Sequence, residues 1–301
     1  MKKEAIVLEN LALLSEQREQ VGEKRLYELS ELSRLAFAAM EGEPFSAENE
    51  EFLRKRYSSV FSLGNEAYDT VMYPCRDAQN EAVASQLSQD ATAFALFFAE
   101  LVAQKGDPRP PWCEKKGAVR IAYVPSSRSD SAYLAIAEKR RDASVLYVEN
   151  ATSAVQAVLS GEAAYALLPY MAAGDTVLPG TVRLIDSHEL YINGVVTLAE
   201  EEEHFSFALL SPLPAPLLSV GDMRLSLRLT ADSYAHLGRM LSAFSALGYA
   251  KAELSATKEE YGRVCAQVTL GAEGNTLALW AYLSLYSVGF TLRGRYPLIY
   301  A

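Results

Sequence analysis

The chain contains 301 residues, half of them apolar, and carries a net charge of −10. This length and apolar content suffice for two or three domains with cores of their own. The negative charge argues against nucleic acid as a partner, and no apolar run is long enough to span a membrane.

The number and spacing of the cysteines and histidines limit the class of protein further. The three cysteines, Cys75, Cys113 and Cys265, lie far apart and form no Cys-x-x-Cys pair, which is typical of free thiols in a reducing cytoplasm. The three histidines lack metal-ligand spacing. The basic start of the chain is followed by acidic residues and does not predict a signal peptide. We therefore expect a cytoplasmic protein without a metal or another cofactor.

Residues 1–105 are predicted to form an all-helical domain. Leucines recur at helical spacing and form one long apolar stripe. Gly42-Glu43-Pro44 interrupts the stripe, and Ser46 then has the position of an N-cap before an acidic first turn. A last helix is expected over Asp77–Gln104.

The Pro-rich segment 106–117 is the clearest predicted domain boundary. Residues 118–211 then predict an α/β lobe. Its expected elements are strand Val119–Val124, a Ser-rich turn over Pro125–Ser131, helix Ala132–Arg141, strand Val145–Glu149, helix Thr152–Leu159 and strand Tyr165–Pro169.

A second Pro-rich segment precedes residues 222–301. The expected elements there are strand Met223–Leu229, helix Tyr234–Leu247, strand Ala250–Ala256, strand Val264–Leu270, helix Asn275–Tyr286 and strand Gly289–Tyr296. This βαββαβ order is typical of a ferredoxin-like unit. The predicted fold class is therefore α+β with three domains: helical, single α/β lobe and ferredoxin-like.

One segment carries a family signature. Gly161-Glu162-Ala163-Ala164-Tyr165-Ala166-Leu167-Leu168-Pro169 resembles the Gly-Glu-Ala-x-Tyr-Gly-Val-Val-Pro signature of prephenate dehydratases. The order of the three parts resembles the bifunctional chorismate mutase–prephenate dehydratases of phenylalanine biosynthesis. The resemblance implies a mutase-like helical domain, half of a dehydratase domain and a C-terminal ACT domain, which senses phenylalanine in that family.

The positions that match the family's dehydratase cleft are substituted. The family's Gly-rich turn corresponds to Pro125–Ser131, which lacks both glycines and keeps hydroxyls for ligand binding at Ser129 and Ser131. The family's Glu-Asn-Ser corresponds to Met171-Ala172-Ala173. Its second lobe is missing, and Glu203-His204 stands where the returning strand has Thr and Arg. A carboxylate there would repel a dicarboxylate substrate, so the resemblance implies a relative without dehydratase activity.

The helical domain supports an alternative hypothesis, an active chorismate mutase. Helical mutases bind both carboxylates of chorismate with cations and complete the site with a Glu and a Gln. The resemblance places Glu51 and Gln104 at those two positions, and Arg25 and Arg34 are cations of the first helix. Tyr27 stands at the family's mid-helix arginine, which favours a solvated charged face over a dianion site.

The ACT-like domain has two altered ligand motifs. In the family, Gly-Ala-Leu at the first helix and Glu-Ser-Arg-Pro after the second strand bind phenylalanine. The corresponding segments here are Ala235-His236-Leu237 and Ser255-Ala256-Thr257-Lys258. The resemblance therefore implies either an amino-acid site that includes Ala235, His236 and Leu237 or an ACT-like domain kept for dimerisation.

Three functional hypotheses follow from the sequence. The first is a degenerate family member that binds, regulates or scaffolds. The second is the mutase, with an ACT domain that senses an aromatic amino acid, and the third is an amino-acid sensor. The expected partners are a second copy of the chain, through the helical and ACT-like domains, and an aromatic amino acid or chorismate-like ligand. Neither nucleic acid nor a membrane is expected.

Overall fold

The structure is a computed structural model. It describes residues 2–41, 46–57, 74–105, 117–172, 176–200, 203–218, 221–249, 251–271 and 273–301. Contacts divide the chain into two units, the first formed by Met1–Pro108 with Asn275–Ser287 and the second by Arg109–Gly274 with Val288–Ala301. None of the helices in the described ranges has the length and apolar character needed to cross a membrane.

The described residues form a mixed α/β protein. The helices are α1 (Lys2–Ala38), α2 (Ala47–Arg56), α3 (Pro74–Lys105), α4 (Ser127–Lys139), α5 (Ala151–Leu159), α6 (Pro179–Ser187), α7 (Tyr234–Ala246) and α8 (Thr276–Tyr286). The strands are β1 (Val119–Tyr123), β2 (Ala143–Tyr147), β3 (Tyr165–Ala172), β4 (Thr176–Val177), β5 (Tyr191–Glu200), β6 (Glu203–Ser211), β7 (Met223–Ala231), β8 (Ala252–Glu260), β9 (Arg263–Gly271) and β10 (Gly289–Tyr300).

The first unit contains α1, α2, α3 and α8. Ser46 caps α2, which confirms the sequence prediction: its Oγ accepts a hydrogen bond from the backbone N–H of Asn49 at 3.2 Å. Phe94 and Phe98 of α3 are buried and stack with ring centres 6.4 Å apart. The ring of Phe37 meets Phe98 edge-on at 5.8 Å. Aromatic packing therefore joins α1 to α3.

Helix α8 belongs to the first unit, whereas the sequence predicted it within a continuous domain over residues 222–301. The helix is apolar on more than one side, and Leu279 and Tyr282 are fully buried. Such a helix is covered by neighbours on several faces. Within the unit it packs against α3 and α2, and Arg54 of α2 donates to the backbone carbonyl of Ser284 at 2.7 Å.

The second unit contains one sheet with the strand order β2-β1-β3-β6-β5-β10-β7-β9-β8, and β4 pairs with the end of β3. Strands β2, β1 and β3 are parallel, and β6 is antiparallel to both β3 and β5. Strand β10 runs parallel to β5 and antiparallel to β7. It therefore joins the α/β lobe to the βαββαβ strands in a single sheet.

Side chains of the α/β lobe alternate between two apolar cores, as expected for strands covered on both faces. Ile121 lies in the core that contains Ile136 of α4. The next residue, Ala122, lies in the core that contains Val158 of α5, together with Leu168 of β3. Packing of helices on both faces of the sheet places the carboxyl ends of β1 and β3 beside the start of α4.

The β7, β8, β9 and β10 half of the sheet has one apolar face and one polar face. On β7, Leu225 and Leu227 are fully buried on the apolar face. Arg224, Ser226 and Arg228 occupy the alternate positions and therefore share the opposite face. The elements follow one another in the order strand, helix, strand, strand, helix, strand, with β7 between β10 and β9.

Gly294 lies where β10 meets the α/β lobe. Its φ is +154°, and a Cβ atom at this position would lie 2.0 Å from the carbonyl oxygen of Ile192 on β5. The register of β10 against β7 shifts between Leu292 and Gly294. Only glycine fits this close approach of two backbones.

Candidate functional site

A cavity of about 460 Å³ lies at the carboxyl ends of β1 and β3, beside the first turn of α4. We call it the cleft. Its described lining residues are Val124, Ser126, Arg128, Ser129, Ala151, Leu167, Leu168, Pro169, Met171, Ala172, Leu178, Phe205, Ser206 and Phe207. Ligands of α/β sheets commonly bind at this edge, outside the carboxyl ends of parallel strands. The cleft also contains some of the positions at which the family resemblance predicted a site.

Ser126 caps α4 within the segment that the sequence predicted as a turn. Its Oγ accepts from the backbone N–H of Ser129 at 3.2 Å. The Ser129 hydroxyl donates to the carbonyl of Val124 at 2.7 Å, and its side chain is almost fully buried. Ser131 donates to the carbonyl of Ser127 at 3.0 Å on an exposed surface. Of the two predicted hydroxyls, Ser129 therefore lines the cleft and holds its turn, whereas Ser131 lies outside the described lining.

Arg128 supplies the positive charge of the cleft. Its guanidinium carbon lies 3.6 Å from the centre of the Phe205 ring, an arrangement that favours a cation–π interaction. Among the described lining residues Arg128 is the single cation, and none is an aspartate or glutamate. Ser206 shares a hydrogen bond with Thr197 at 3.1 Å. The rest of the described lining is predominantly apolar.

This composition limits the chemistry of the cleft. Loss of a hydroxyl group from a substrate needs a proton donor close to the leaving oxygen. Asp130 is near the cleft in sequence, but it accepts the Tyr123 hydroxyl at 2.9 Å and is not among the lining residues. Burial, followed by the hydrogen bond to Asp130, raises the pKa of Tyr123, so this phenol stays protonated at neutral pH.

The substituted family positions are only partly within the cleft. Met171 and Ala172 line it, and Ala173 lies outside the described residues. His204 is exposed and lies outside the described lining, near the start of β6. In the described part of the chain, no group of three or more His, Cys, Asp or Glu side chains is placed to hold a metal ion.

The residues expected for a mutase are dispersed in the structure. Arg25 binds the buried carboxylate of Asp90 through two of its nitrogens, with Nε donating at 2.8 Å. Arg34 donates to Glu31 at 2.9 Å on the surface. Arg34 lies nine positions after Arg25, and at roughly 100° per residue the two arginines lie on opposite sides of α1. The structure therefore does not bring them together within one chain.

The other two predicted mutase residues, Glu51 on α2 and Gln104 on α3, are exposed. Within the described residues, neither has a hydrogen bond or an ion pair that would fix it in a binding site for a dianion. Among the described residues of a single chain, the four predicted residues therefore do not form a mutase site.

The segment predicted to bind an amino acid forms the first turn of α7. Ser233 caps this helix, with its Oγ accepting from the backbone N–H of His236 at 3.1 Å. The His236 ring is buried, and its Nδ1 accepts from the backbone N–H of Asp232 at 3.4 Å. Leu237 is also buried, whereas Ala235 is exposed. His236 is thus hydrogen-bonded at the start of α7, and the side chains of His236 and Leu237 are both buried.

Arg128 and Phe205 were missed in the sequence analysis as functional residues. The resemblance places a glycine of the family at Arg128, within the segment Pro125–Ser131, and Phe205 follows Glu203-His204 in the segment that corresponds to the family's returning strand. A cation at a former glycine position was the available signal. The pairing with Phe205 depends on how β6 lies beside β3, which follows from register rather than from any local pattern.

Fold and geometry thus define a mixed α/β protein with a largely apolar cleft at the carboxyl edge of parallel strands. No protein-family model and no curated protein matches the sequence. Several solved structures are similar to it. Prephenate dehydratase from Streptococcus mutans has a TM-score of 0.48 and 20% identity, and the match covers 60% of this chain and 100% of that one.

GqqA, described as a novel type of quorum-quenching acylase, has a TM-score of 0.47 and 20% identity, with 59% of this chain and 94% of that one covered. Prephenate dehydratase from Arthrobacter aurescens, in complex with L-Phe, has a TM-score of 0.44 and 12% identity, with 60% and 90% covered. At these identities and TM-scores we transfer no property of these proteins to the present chain.

Proposed function

We propose that the protein is a degenerate relative of the chorismate mutase–prephenate dehydratases that binds a small carboxylate with an apolar body in the cleft. The protein acts by binding or regulation and does not dehydrate prephenate. The observation that supports the proposal is the position of Arg128, stacked on Phe205 in a cavity whose described lining contains no carboxylic acid.

The guanidinium of Arg128 is suited to one carboxylate. Hydrogen bonding to a carboxylate uses the edge of the guanidinium, whereas stacking on a ring uses its face, so the two contacts are compatible. Leu167, Leu168 and Phe207 provide apolar surface for the remainder of the ligand. A volume of about 460 Å³ is within the range of small-molecule sites. These features favour an aromatic or aliphatic monocarboxylate.

Calorimetry with 3-phenylpropionate and phenylpyruvate tests binding, and a prephenate assay in the same preparation tests turnover. We expect saturable binding of at least one carboxylate and no formation of phenylpyruvate from prephenate. Arg128→Gln removes the cation and is expected to weaken binding by about tenfold or more. Arg141→Gln, at an exposed position outside the cleft, is the charge-matched control.

Two results would contradict the proposal. One is enzymatic formation of phenylpyruvate that Arg128→Gln abolishes. The other is consumption of chorismate that Arg25→Ala and Arg34→Ala both abolish, because this result would assign mutase activity to the helical unit. Phenylalanine is a third arm of the calorimetry: binding that Arg128→Gln leaves intact would support the amino-acid sensor instead.

We also propose that a second copy of the chain is a partner, through α1. Four large apolar side chains of this helix are more than half exposed in the single chain: Leu13, Val21, Tyr27 and Leu35. At 100° per residue they fall within a sector of about 120°, which also contains the charged residues Lys24, Glu28 and Glu31.

A further inference from the structure

A second cavity, of about 620 Å³, lies between α6 and the polar face of β7, β8 and β9. We call it the groove. Six of its lining residues are charged: Arg183 and Asp186 on α6, Arg228 on β7, Lys258 and Glu260 on β8, and Arg293 on β10. The groove and the cleft have different lining residues, and all the described residues of both belong to the second unit.

The charges of the groove alternate along a connected chain. Asp186 accepts from Arg293 and lies 3.6 Å from a second guanidinium, that of Arg228. Arg228 also pairs with Glu260 at 3.3 Å, and Glu260 pairs in turn with Lys258. Each of the two carboxylates is therefore shared by two cations. The hydrogen bond from Lys258 lowers the pKa of Glu260, so that this group is ionised at neutral pH.

The charge of the groove is opposite to that of the whole chain. Its described lining contains four cations and two carboxylates, a surplus of two positive charges, in a chain of net charge −10. The two carboxylates hold Arg228 and Arg293 in place, so little freedom is lost when these guanidinium groups bind a further anion. Arg183, one helical turn before Asp186, adds an exposed cation to the same side of α6.

We propose that the groove binds a compact dianion, of the phosphate or dicarboxylate type. Arg183 and Lys258, at opposite walls, would contact it from two sides, and Arg228 and Arg293 would contribute from the floor. Val177, Pro179 and Val182 line the groove as well. They provide a small apolar surface next to the charges, which suits a dianionic group carried on a small organic body.

The proposal is tested by calorimetry of the full chain with two probes, inorganic phosphate and malonate, at a series of sodium chloride concentrations, with the ionic strength matched between the two probes at each one. We expect saturable binding of at least one probe, at one site per chain, that weakens as sodium chloride is added. Binding of phosphate alone would identify a phosphate site, and binding of malonate alone a dicarboxylate site. If neither probe shows saturable binding, the proposal is overturned.

Substitutions locate the site. Arg183→Gln and Lys258→Gln are each expected to weaken binding by about fivefold, and Arg183→Lys, which keeps the charge, by less. Arg141→Gln makes the same charge change at an exposed position outside the groove and is expected to leave binding unchanged. An equal loss in Arg141→Gln would overturn the proposal, because it would assign binding to diffuse surface charge. Melting temperatures of all variants verify that they fold.

Discussion

The guanidinium of Arg128 lies 3.6 Å from the centre of the Phe205 ring, and this contact joins the first turn of α4 to the start of β6. It brings a cation to an otherwise largely apolar cleft. It also forms where the sequence resemblance predicted the loss of binding groups, because the arginine replaces a glycine of the family's turn. The charge needed to bind one carboxylate is thus present, although the described lining of the cleft lacks an acid for elimination.

The first prediction concerns Phe205. Phe205→Leu keeps an apolar wall and removes the ring that orients Arg128. Loss of a cation–π contact corresponds to about 1 kcal/mol, so carboxylate binding is expected to weaken by about fivefold in calorimetry. Phe207→Leu makes the same change at another residue that lines the cleft and serves as the control. A larger loss of affinity in the control would show that the ring of Phe205 has no special role.

The second prediction concerns Gly294. Gly294→Ala would place a Cβ atom 2.0 Å from the carbonyl oxygen of Ile192, which requires β5 and β10 to separate. We expect the free energy of unfolding to fall by about 2 kcal/mol or more, measured by urea denaturation. Gly238→Ala is the matched control because an added Cβ in α7 meets no atom within 4 Å, and helix propensity favours alanine. Unchanged stability of Gly294→Ala would show that the strand junction tolerates a side chain.

The third prediction separates two arginines of α1. Arg25→Ala would leave the carboxylate of Asp90 buried without its charged partner, and we expect a loss of about 2 kcal/mol in unfolding experiments. Arg34→Ala removes an exposed pair with Glu31 and is expected to cost about 0.5 kcal/mol or less. Equal effects of the two substitutions would contradict a structural role for Arg25.

Local patterns of the sequence predicted much of the element order. The short apolar runs in Val119–Val124 and Tyr165–Pro169 predict buried strands, and β1 and β3 form there. Ser46 was predicted as an N-cap from its spacing to an acidic turn, and its hydrogen bond to Asn49 confirms this. Such signals are local because they depend on neighbouring residues along one element.

Other features depend on tertiary packing and had no local signal. Helix α8 has apolar residues on several sides, so its sequence does not specify which neighbours cover it, and it lies in the first unit. Helix α4 starts at Ser127 rather than after Ser131, because Ser126 provides a cap within the segment that the sequence predicted as a Ser-rich turn. The charged groove combines side chains from α6, β7, β8 and β10, and only the fold brings them together.

The fourth prediction concerns pH. The hydrogen bond from Arg140 lowers the pKa of Asp142 in the folded protein. Stabilisation by this carboxylate is therefore present above the ordinary pKa of an aspartate, about 4, and is lost as the pH falls through the lowered folded-state pKa. The melting temperature of Asp142→Asn should lie below that of the unmodified protein at about pH 7, and the difference should disappear as acidification protonates the Asp142 carboxylate.

Glu138→Gln, at an exposed carboxylate of α4, serves as the control for this pH series. Arg140 also donates to the backbone carbonyls of Leu217 and Gly117, at 3.1 and 2.9 Å. Arg140→Gln should consequently lower the melting temperature even at acid pH, where Asp142 is neutral. A melting-temperature difference between Asp142→Asn and the unmodified protein that does not change with pH would contradict the assignment to the Asp142 carboxylate.

The last prediction concerns self-association through α1. Val21→Lys and Leu35→Lys replace two exposed apolar side chains on this face of α1 with charges and should convert a dimer into a monomer, measured by light scattering after size-exclusion chromatography. Leu26→Lys is the control because Leu26 is half exposed on another side of the helix, more than about 120° from the centre of that face. A monomeric unmodified protein, or equal disruption by Leu26→Lys, would contradict an interface at this face. Retention of the dimer in Val21→Lys would place the contact elsewhere in the chain.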